Sequence, residues 1–157
     1  MDTLTPPIRN AARALIVRDN NILLLRKEGY AEGERYALPG GGQDLGETLE
    51  QALIRECFEE IGTRVRIRDL VHVADSFKPR DTSPASTRHL VEFLFECSIP
   101  GDYAPCNGHH PDKHQVAVVW VNLAELAGMP LYPRSLAAFL SGFPDRPGPT
   151  YLGSTDW

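Results

Sequence analysis

Three glutamates set close together, Glu56, Glu59 and Glu60, are the residues best placed by type and spacing to do chemistry. On a helix turning about 100° per residue, they share an arc of about 100° on one side. Leu53, Ile54, Cys57, Phe58 and Ile61 fall on the other side, between about 60° and 200° from Glu56. Stacking like charges at this spacing weakens an isolated helix by a few tenths of a kcal/mol. Glu59 and Glu60 also fall in the last turn, where the helix dipole disfavours negative charge. A solvated acidic face is the plain reading. The alternative is a divalent cation, because hard oxygen donors suit Mg²⁺ or Mn²⁺. Mg²⁺ binds through a few carboxylates together with substrate phosphates, which points to a phosphate-bearing ligand. Gly40-Gly41-Gly42, just before the helix, fits the same picture, since glycine lets backbone approach a phosphate or a metal closely.

The elements that must position these groups are legible in outline. The acidic helix is expected from Thr48 to about Ile61. Thr48 and Gln51 have the form of a capping box, and Gly62 stands where a left-handed residue closes the helix. Ala12–Val17 and Ile22–Leu25 are apolar runs separated by Arg18-Asp19-Asn20-Asn21, which reads as a hairpin. Tyr36–Pro39 is short and extended, because proline pushes its predecessor out of the helical region. Further strands are expected over Thr63–Ala74, His89–Ile99 and Val116–Asn122, with polar loops over Lys78–Arg88 and Pro100–Gln115. Short helical patterns follow around Leu123–Leu126 and Ser135–Leu140, then a tail rich in proline and glycine. Many strands, one long helix and late short ones make the fold class α+β.

Composition narrows the function. A length of 157 residues fits one domain. Apolar residues at 42% and charged residues at 24% are ordinary for a globular chain and argue against disorder. No apolar run approaches the ~20 residues that span a bilayer, and Met1–Asn10 lacks an apolar signal core. Three scattered cysteines, Cys57, Cys97 and Cys106, argue against a disulfide scaffold. A net charge of −5 disfavours non-specific grip on nucleic acid. The expectation is a cytoplasmic protein with neither a nucleic-acid nor a membrane partner.

From Gly41 to Thr63 the fixed residues run Gly41, Glu47, Arg55, Glu56, Glu59, Glu60 and Gly62. This segment resembles the Nudix box, the signature of the Nudix hydrolase superfamily. The lead-in Leu38-Pro39-Gly40-Gly41-Gly42 and a strand ending near Trp120 are similar to the family as well. Cys57 and Thr63 stand where bulky aliphatics are usual, and neither change removes a metal ligand. The resemblance implies a mixed β-sheet sandwiched between α-helices over a single domain, 1–157. It implies Mg²⁺- or Mn²⁺-dependent cleavage of a nucleoside diphosphate linked to another moiety. Carried over, Glu56, Glu59 and Glu60 would hold the cations with the backbone carbonyl of Gly41. Arg55 and Glu47 would pair to orient the glutamates, and Glu56, Glu59 and Arg55 would form the catalytic set.

The general base is Glu56 or Glu59 within the box, or a group outside it. Glu92, Asp102, Asp112 and His114 are the outside candidates. Arg13, Arg26, Lys27, Arg35, Lys78 and Arg80 are cations of which one or two would line the site. Phe77, Tyr36 and Trp120 are aromatic groups able to stack on a base or simply to pack. Cys106, His109, His110 and His114 match no standard zinc spacing. Pro79, 16 residues beyond Thr63, resembles a mark of family members acting on ADP-ribose and ADP-sugars. Modified nucleoside triphosphates and dinucleoside polyphosphates are the alternatives. A non-catalytic nucleotide sensor is a rival, although no glutamate of the box is lost. An isopentenyl diphosphate isomerase would need a reactive cysteine, and Cys57 lies among apolar positions. A homodimer is expected by analogy with relatives.

Overall fold

A computed structural model describes residues 3–157. Met1 and Asp2, where the N-terminal stretch read above begins, lie outside the described residues. Strand β1, Thr3–Arg18, turns through Asp19 and Asn20 into β2, Asn21–Tyr30. Both turn residues have positive φ, 50° and 64°, which matches the right-handed twist of a two-residue hairpin. The hairpin is paired only at its tip, Val17 with Ile22 and Arg18 with Asn21. Beyond that point the strands part. β1 runs parallel to β6, Ser86–Ser98, and β2 runs antiparallel to β7, Gln115–Asn122.

Strand β3, Gly33–Ala37, lies on the free side of β2 and takes the short β8, Leu131–Tyr132, as its outer neighbour. Strand β4, Gly40–Gly42, pairs with Ala11–Arg13 of β1. Strand β5, Arg66–Arg80, runs antiparallel to β6, and β9, Tyr151–Asp156, lies parallel on its other edge. Parallel and antiparallel pairs thus share one mixed sheet between two helical layers, an α+β arrangement.

Side chains alternate along β1 and β2, so each strand feeds both layers. Ala12, Ala14, Ile16, Leu23 and Leu25 join Leu53, Cys57 and Ile61 of helix α1, Leu49–Ile61. Leu15, Ile22, Leu24 and Leu94 join the other layer. That layer contains Leu123 and Leu126 of a 3₁₀ helix, Leu123–Gly128, and Leu136 and Leu140 of α2, Leu136–Leu140. Burial on both faces explains why these strands read as unbroken apolar runs.

Three expectations are corrected. Lys78–Arg88 is mostly strand, with β5 and β6 extending to leave only 81–85 as a connection. Pro79 is tolerated there because it lies beyond the last pair of β5 with β9, Phe77 with Asp156, where β5 has become an edge. The strand expected over Thr63–Ala74 begins and ends later, as β5, Arg66–Arg80, and the end of the tail pairs with it as β9. Phe58, placed on the apolar face by the helical wheel, is 51% exposed, with the His109 ring against it.

The helix caps form as their residues dictate. Thr48 accepts the Gln51 amide at 3.1 Å, and the Gln51 side chain accepts the Thr48 amide at 2.9 Å. Gly62, at φ 73°, closes the other end. Thr48→Ala is expected to cost about 1 kcal/mol. Thermal melting should then show a fall of about 2–4 °C for a chain of this length.

Candidate active site

Arg55 organises the start of the site. Its Nε donates to Glu47 Oε2 at 2.7 Å and its Nη2 to Glu47 Oε1 at 2.9 Å, a bidentate pair. The same guanidinium donates to the Gly42 carbonyl at 3.1 Å and to Glu56 Oε1 at 3.0 Å, and lies 3.6 Å from Glu59. One rigid fork therefore fixes the loop before α1 and two of the three glutamates. Arg55 and the Asp44 amide hold the Glu47 carboxyl down at about 2, and these carboxylates raise the Arg55 pKa in turn.

Glu60 goes elsewhere. Its side chain is buried, and Oε1 accepts the Gly40 amide at 2.8 Å. The Gly40 carbonyl, on the same residue, accepts Arg13 Nη1 at 2.8 Å. Gly40 sits at φ 130°, and a Cβ there would lie 2.1 Å from the Ala12 carbonyl oxygen. Only glycine fits. Gly41 is constrained by the site itself, because a Cβ there would lie 2.5 Å from the Glu56 carboxyl carbon.

Burial raises the Glu56 pKa, with Arg55 opposing and Glu59 adding to the rise. Burial pushes Glu60 up to about 8, opposed by the Gly40 amide and reinforced by Asp112. Both carboxylates therefore lack enough positive charge around them, and such oxygen donors, beside a glycine backbone, suit a hard divalent cation. Among the described residues, no three acidic, histidine or cysteine side chains meet at one point. Arg55 draws Glu56 one way while the Gly40 amide holds Glu60 another.

The outside candidates separate clearly. Glu92 is buried with both oxygens engaged, Oε1 by Arg13 Nε at 3.1 Å and Oε2 by the Ser76 hydroxyl at 2.6 Å. Asp112 pairs with Lys27 and accepts the Lys113 amide at 2.8 Å. Burial works against its charge, but Lys27 overrides this and leaves the carboxyl below the usual aspartate range. Glu92 and Asp112 line one small inner cavity with Arg13, Lys27 and Lys78. His114 stays outside that cavity, its ring 4.8 Å from Tyr30. Asp102 is an exposed turn residue. The cysteine–histidine group is not brought together: His109 packs on Phe58, His114 on Tyr30, and the Cys106 sulfur lies 3.9 Å from the Ile61 carbonyl.

A larger cleft of about 870 Å³ opens from the inner cavity, sharing Lys27, Ala37, Lys78, Tyr132 and Trp157 with it. Arg35 lies between two rings of its wall, 4.0 Å from the Tyr30 centroid and 4.3 Å from that of Tyr132. The Lys78 ammonium sits 4.5 Å over the Trp157 ring. Of the aromatic candidates only Tyr36 lines the cleft. Phe77 stacks on His89, and Trp120 lies under Arg18. Sequence reasoning missed Tyr30, Ser76, Tyr132 and Trp157. Period-two alternation along β5 puts Ser76 on the face of Lys78, but the partners of that face come only from strand order.

A family model described as the NUDIX domain matches residues 7–140. The chain belongs to the NUDIX domain family. The "ADP-ribose pyrophosphatase" of Methanocaldococcus jannaschii is 33% identical over 91 residues, covering 58% of this chain and 51% of that protein. The "Nucleoside triphosphatase NudI" of an Enterobacter species is 33% identical over 89 residues, covering 52% of this chain and 63% of that protein. The chain thus spans about half to two thirds of the length of these relatives. A crystal structure of a MutT NUDIX hydrolase from Burkholderia pseudomallei matches with a TM-score of 0.66 at 28% identity, covering 86% of this chain and 98% of that one. NUDIX hydrolases generally use divalent cations. No described helix of this NUDIX chain is long and apolar enough to cross a membrane.

Glu60 gives the site a pH signature. Its folded pKa, about 8, lies above the ordinary value of 4.5, so the metal-free folded chain keeps a proton that the unfolded chain has released. Stability should therefore fall as pH rises from about 4.5 to about 8, by an amount on the order of a few kcal/mol. Glu60→Gln should flatten that decline, as measured by denaturant unfolding across the range in the presence of chelator.

Proposed function

We propose that this protein hydrolyses the diphosphate of a nucleoside diphosphate linked to another moiety, with ADP-ribose and nucleotide sugars as the leading substrates. The observation that carries this reading is Gly40, which joins the acidic helix, through Glu60, to a cavity lined by three cations, through Arg13. The Arg55-bound glutamates stand on one side, and the inner cavity with Arg13, Lys27 and Lys78 stands on the other. Pro79 on the cleft wall and a relative named an ADP-ribose pyrophosphatase support the choice of substrate. Nucleoside triphosphates are the second reading, favoured by those three cations and by the relative named a nucleoside triphosphatase.

The residues divide the work as follows. Arg13, Lys27 and Lys78 bind the phosphates and offset their charge, and Glu92 with Ser76 holds Arg13 in place. The rings of Tyr30, Tyr132 and Trp157 give the base a surface to stack on. Glu56, Glu59, Glu60 and the Gly41 carbonyl would hold Mg²⁺ or Mn²⁺, while Glu47 and Arg55 orient the glutamates. When bound, the cation supplies charge stabilisation on the diphosphate and lowers the pKa of water. The Glu56 oxygen not engaged by Arg55 takes the proton of the attacking water. Burial raises the Glu56 pKa, which favours its taking that proton. Glu92, with both oxygens bound, is a positioning residue rather than the base.

The test is a hydrolysis screen with Mg²⁺ and Mn²⁺ over ADP-ribose, nucleotide sugars, triphosphates and dinucleoside polyphosphates. Release of AMP from ADP-ribose at a kcat/KM of about 10⁴ M⁻¹s⁻¹ or more is expected. Cleavage of triphosphates alone would favour the second reading, and nucleotide binding without any cleavage would point to a sensor. Glu56→Gln should lower kcat by about 10²–10⁴-fold, and full turnover by this variant would remove Glu56 as the base. Independently of turnover, saturating Mg²⁺ or Mn²⁺ should raise the Tm of the wild-type protein and not that of Glu56→Gln.

A further inference from the structure

A second cleft, of about 310 Å³, lies on the sheet beside the box loop. Its walls are Arg9 and Arg13 of β1, Lys78 and Arg80 of β5, Arg88 of β6, and Gly42. Strand pairing makes this crowding unavoidable. Lys78 and Arg88 stand directly opposite one another, and Arg80 follows Lys78 by two residues on the same face. Like charges directly opposite across a sheet are destabilising. Among the described residues, no carboxylate lies within ion-pair distance of Arg9, Lys78, Arg80 or Arg88, although Arg13 in the same wall is paired with Glu92. The chain as a whole carries −5, so local composition does not account for the cluster.

Arg88 gives the second observation. Its Nε is buried and has no hydrogen-bond acceptor. Native structures seldom leave such a group unpaired, and a missing ion is one of the ordinary explanations. Burial, with Arg80 and Arg9 nearby, also lowers the Arg88 pKa, the sign expected where cations repel one another. A solvated basic face would leave that Nε in water, whereas here it is enclosed. The planar guanidinium fork of Arg88 matches the oxygens of a phosphate. Arg13 and Lys78 line this cleft and the inner cavity alike, so the two adjoin. Arg9 and Arg13 are four residues of strand apart, about 13 Å.

Resting on the reading of the main site given above, we propose that the Arg9–Arg80–Arg88 cleft is a second phosphate subsite, which takes a phosphate other than the diphosphate being cleaved. Within that substrate class, a compound carrying a terminal phosphate on the far side of the scissile bond is therefore cleaved more efficiently than its unphosphorylated counterpart. That phosphate is either a phosphomonoester on the linked moiety or the end of a polyphosphate chain. Unphosphorylated ADP-ribose leaves the cleft without an occupant.

Binding to the metal-free protein tests the subsite without turnover. Inorganic tripolyphosphate is titrated by calorimetry at about 0.15 M salt, where long-range attraction is screened. The double variant Arg80→Met/Arg88→Met should bind at least tenfold more weakly than wild type. Arg64→Met/Arg66→Met, which removes the same charge from two exposed positions elsewhere, should stay within twofold. Equal weakening by both double variants, or none by either, overturns the subsite. A kinetic arm then separates the two sources of phosphate. ADP-ribose is compared with ADP-ribose 1″-phosphate, and a dinucleoside diphosphate with ATP. Wild type should prefer at least one phosphorylated partner by tenfold or more in kcat/KM, and Arg88→Met should erase that preference. A preference that survives Arg88→Met, or no preference for either partner, overturns the assignment of the terminal phosphate. If no compound is hydrolysed while tripolyphosphate binding still depends on Arg80 and Arg88, the hydrolase reading fails and the phosphate subsite stands.

Discussion

Gly40 is held from two sides, and much of the molecule depends on that grip. Its amide is taken by Glu60 from α1 and its carbonyl by Arg13 from β1. The strand β4 that contains it has only three residues, too few to be placed by ladder bonds alone. The backbone there approaches β1 so closely that any side chain would strike the Ala12 carbonyl. A carboxylate buried at the end of a helix and a guanidinium on a strand thus meet through the two peptide groups of one residue. That contact ties the acidic helix to the sheet through the box loop.

The same contact explains the division of charge. Glu60 gives one oxygen to the Gly40 amide and remains poorly neutralised, because burial disfavours its charge and Asp112 opposes what Arg13 provides. Arg13 is held in turn by Glu92, which Ser76 fixes and which Thr155 of β9 supports through the Ser76 hydroxyl. A chain of contacts therefore runs from the C-terminal strand through the sheet to the box loop. Acids gather on the helix side, while cations without an ion-pair partner among the described residues collect where β5 ends and β6 begins, beside the middle of β1. An anionic ligand would neutralise only the cations, and the carboxylates call for a divalent cation of their own, since charges at short range in a partly buried site are only weakly screened.

Particular residues show how far the sequence could be read. Thr48, Gln51 and Gly62 act within a few positions of themselves, so the ends of α1 were legible, as was the Asp19–Asn20 turn. The Glu47–Arg55 pair was legible through its family resemblance. Pro79 led to a loop being expected where β5 continues, because a proline excludes an internal strand but not an edge strand. Phe58 sits at the border of the helical wheel, and only the course of the 100–115 loop decides whether it is covered. No strand was read in the tail, because a parallel edge strand is selected by its partner β5 and has little pattern of its own.

By itself the sequence determined what is local: the capped helix, the phase of its carboxylates, the glycines that let backbone come close, and the box by which the family is recognised. The tertiary structure decided everything that depends on which strands lie side by side. It separated Glu60 from Glu56 and Glu59 and closed Glu92 off between Arg13 and Ser76. It left His114 outside the inner cavity and set Lys78 against Arg88. The reason is geometric. Helical periodicity and turn conformations are fixed by neighbours a few bonds away. Strand order brings together residues as far apart as Arg13 and Glu92, which no spacing along the chain encodes.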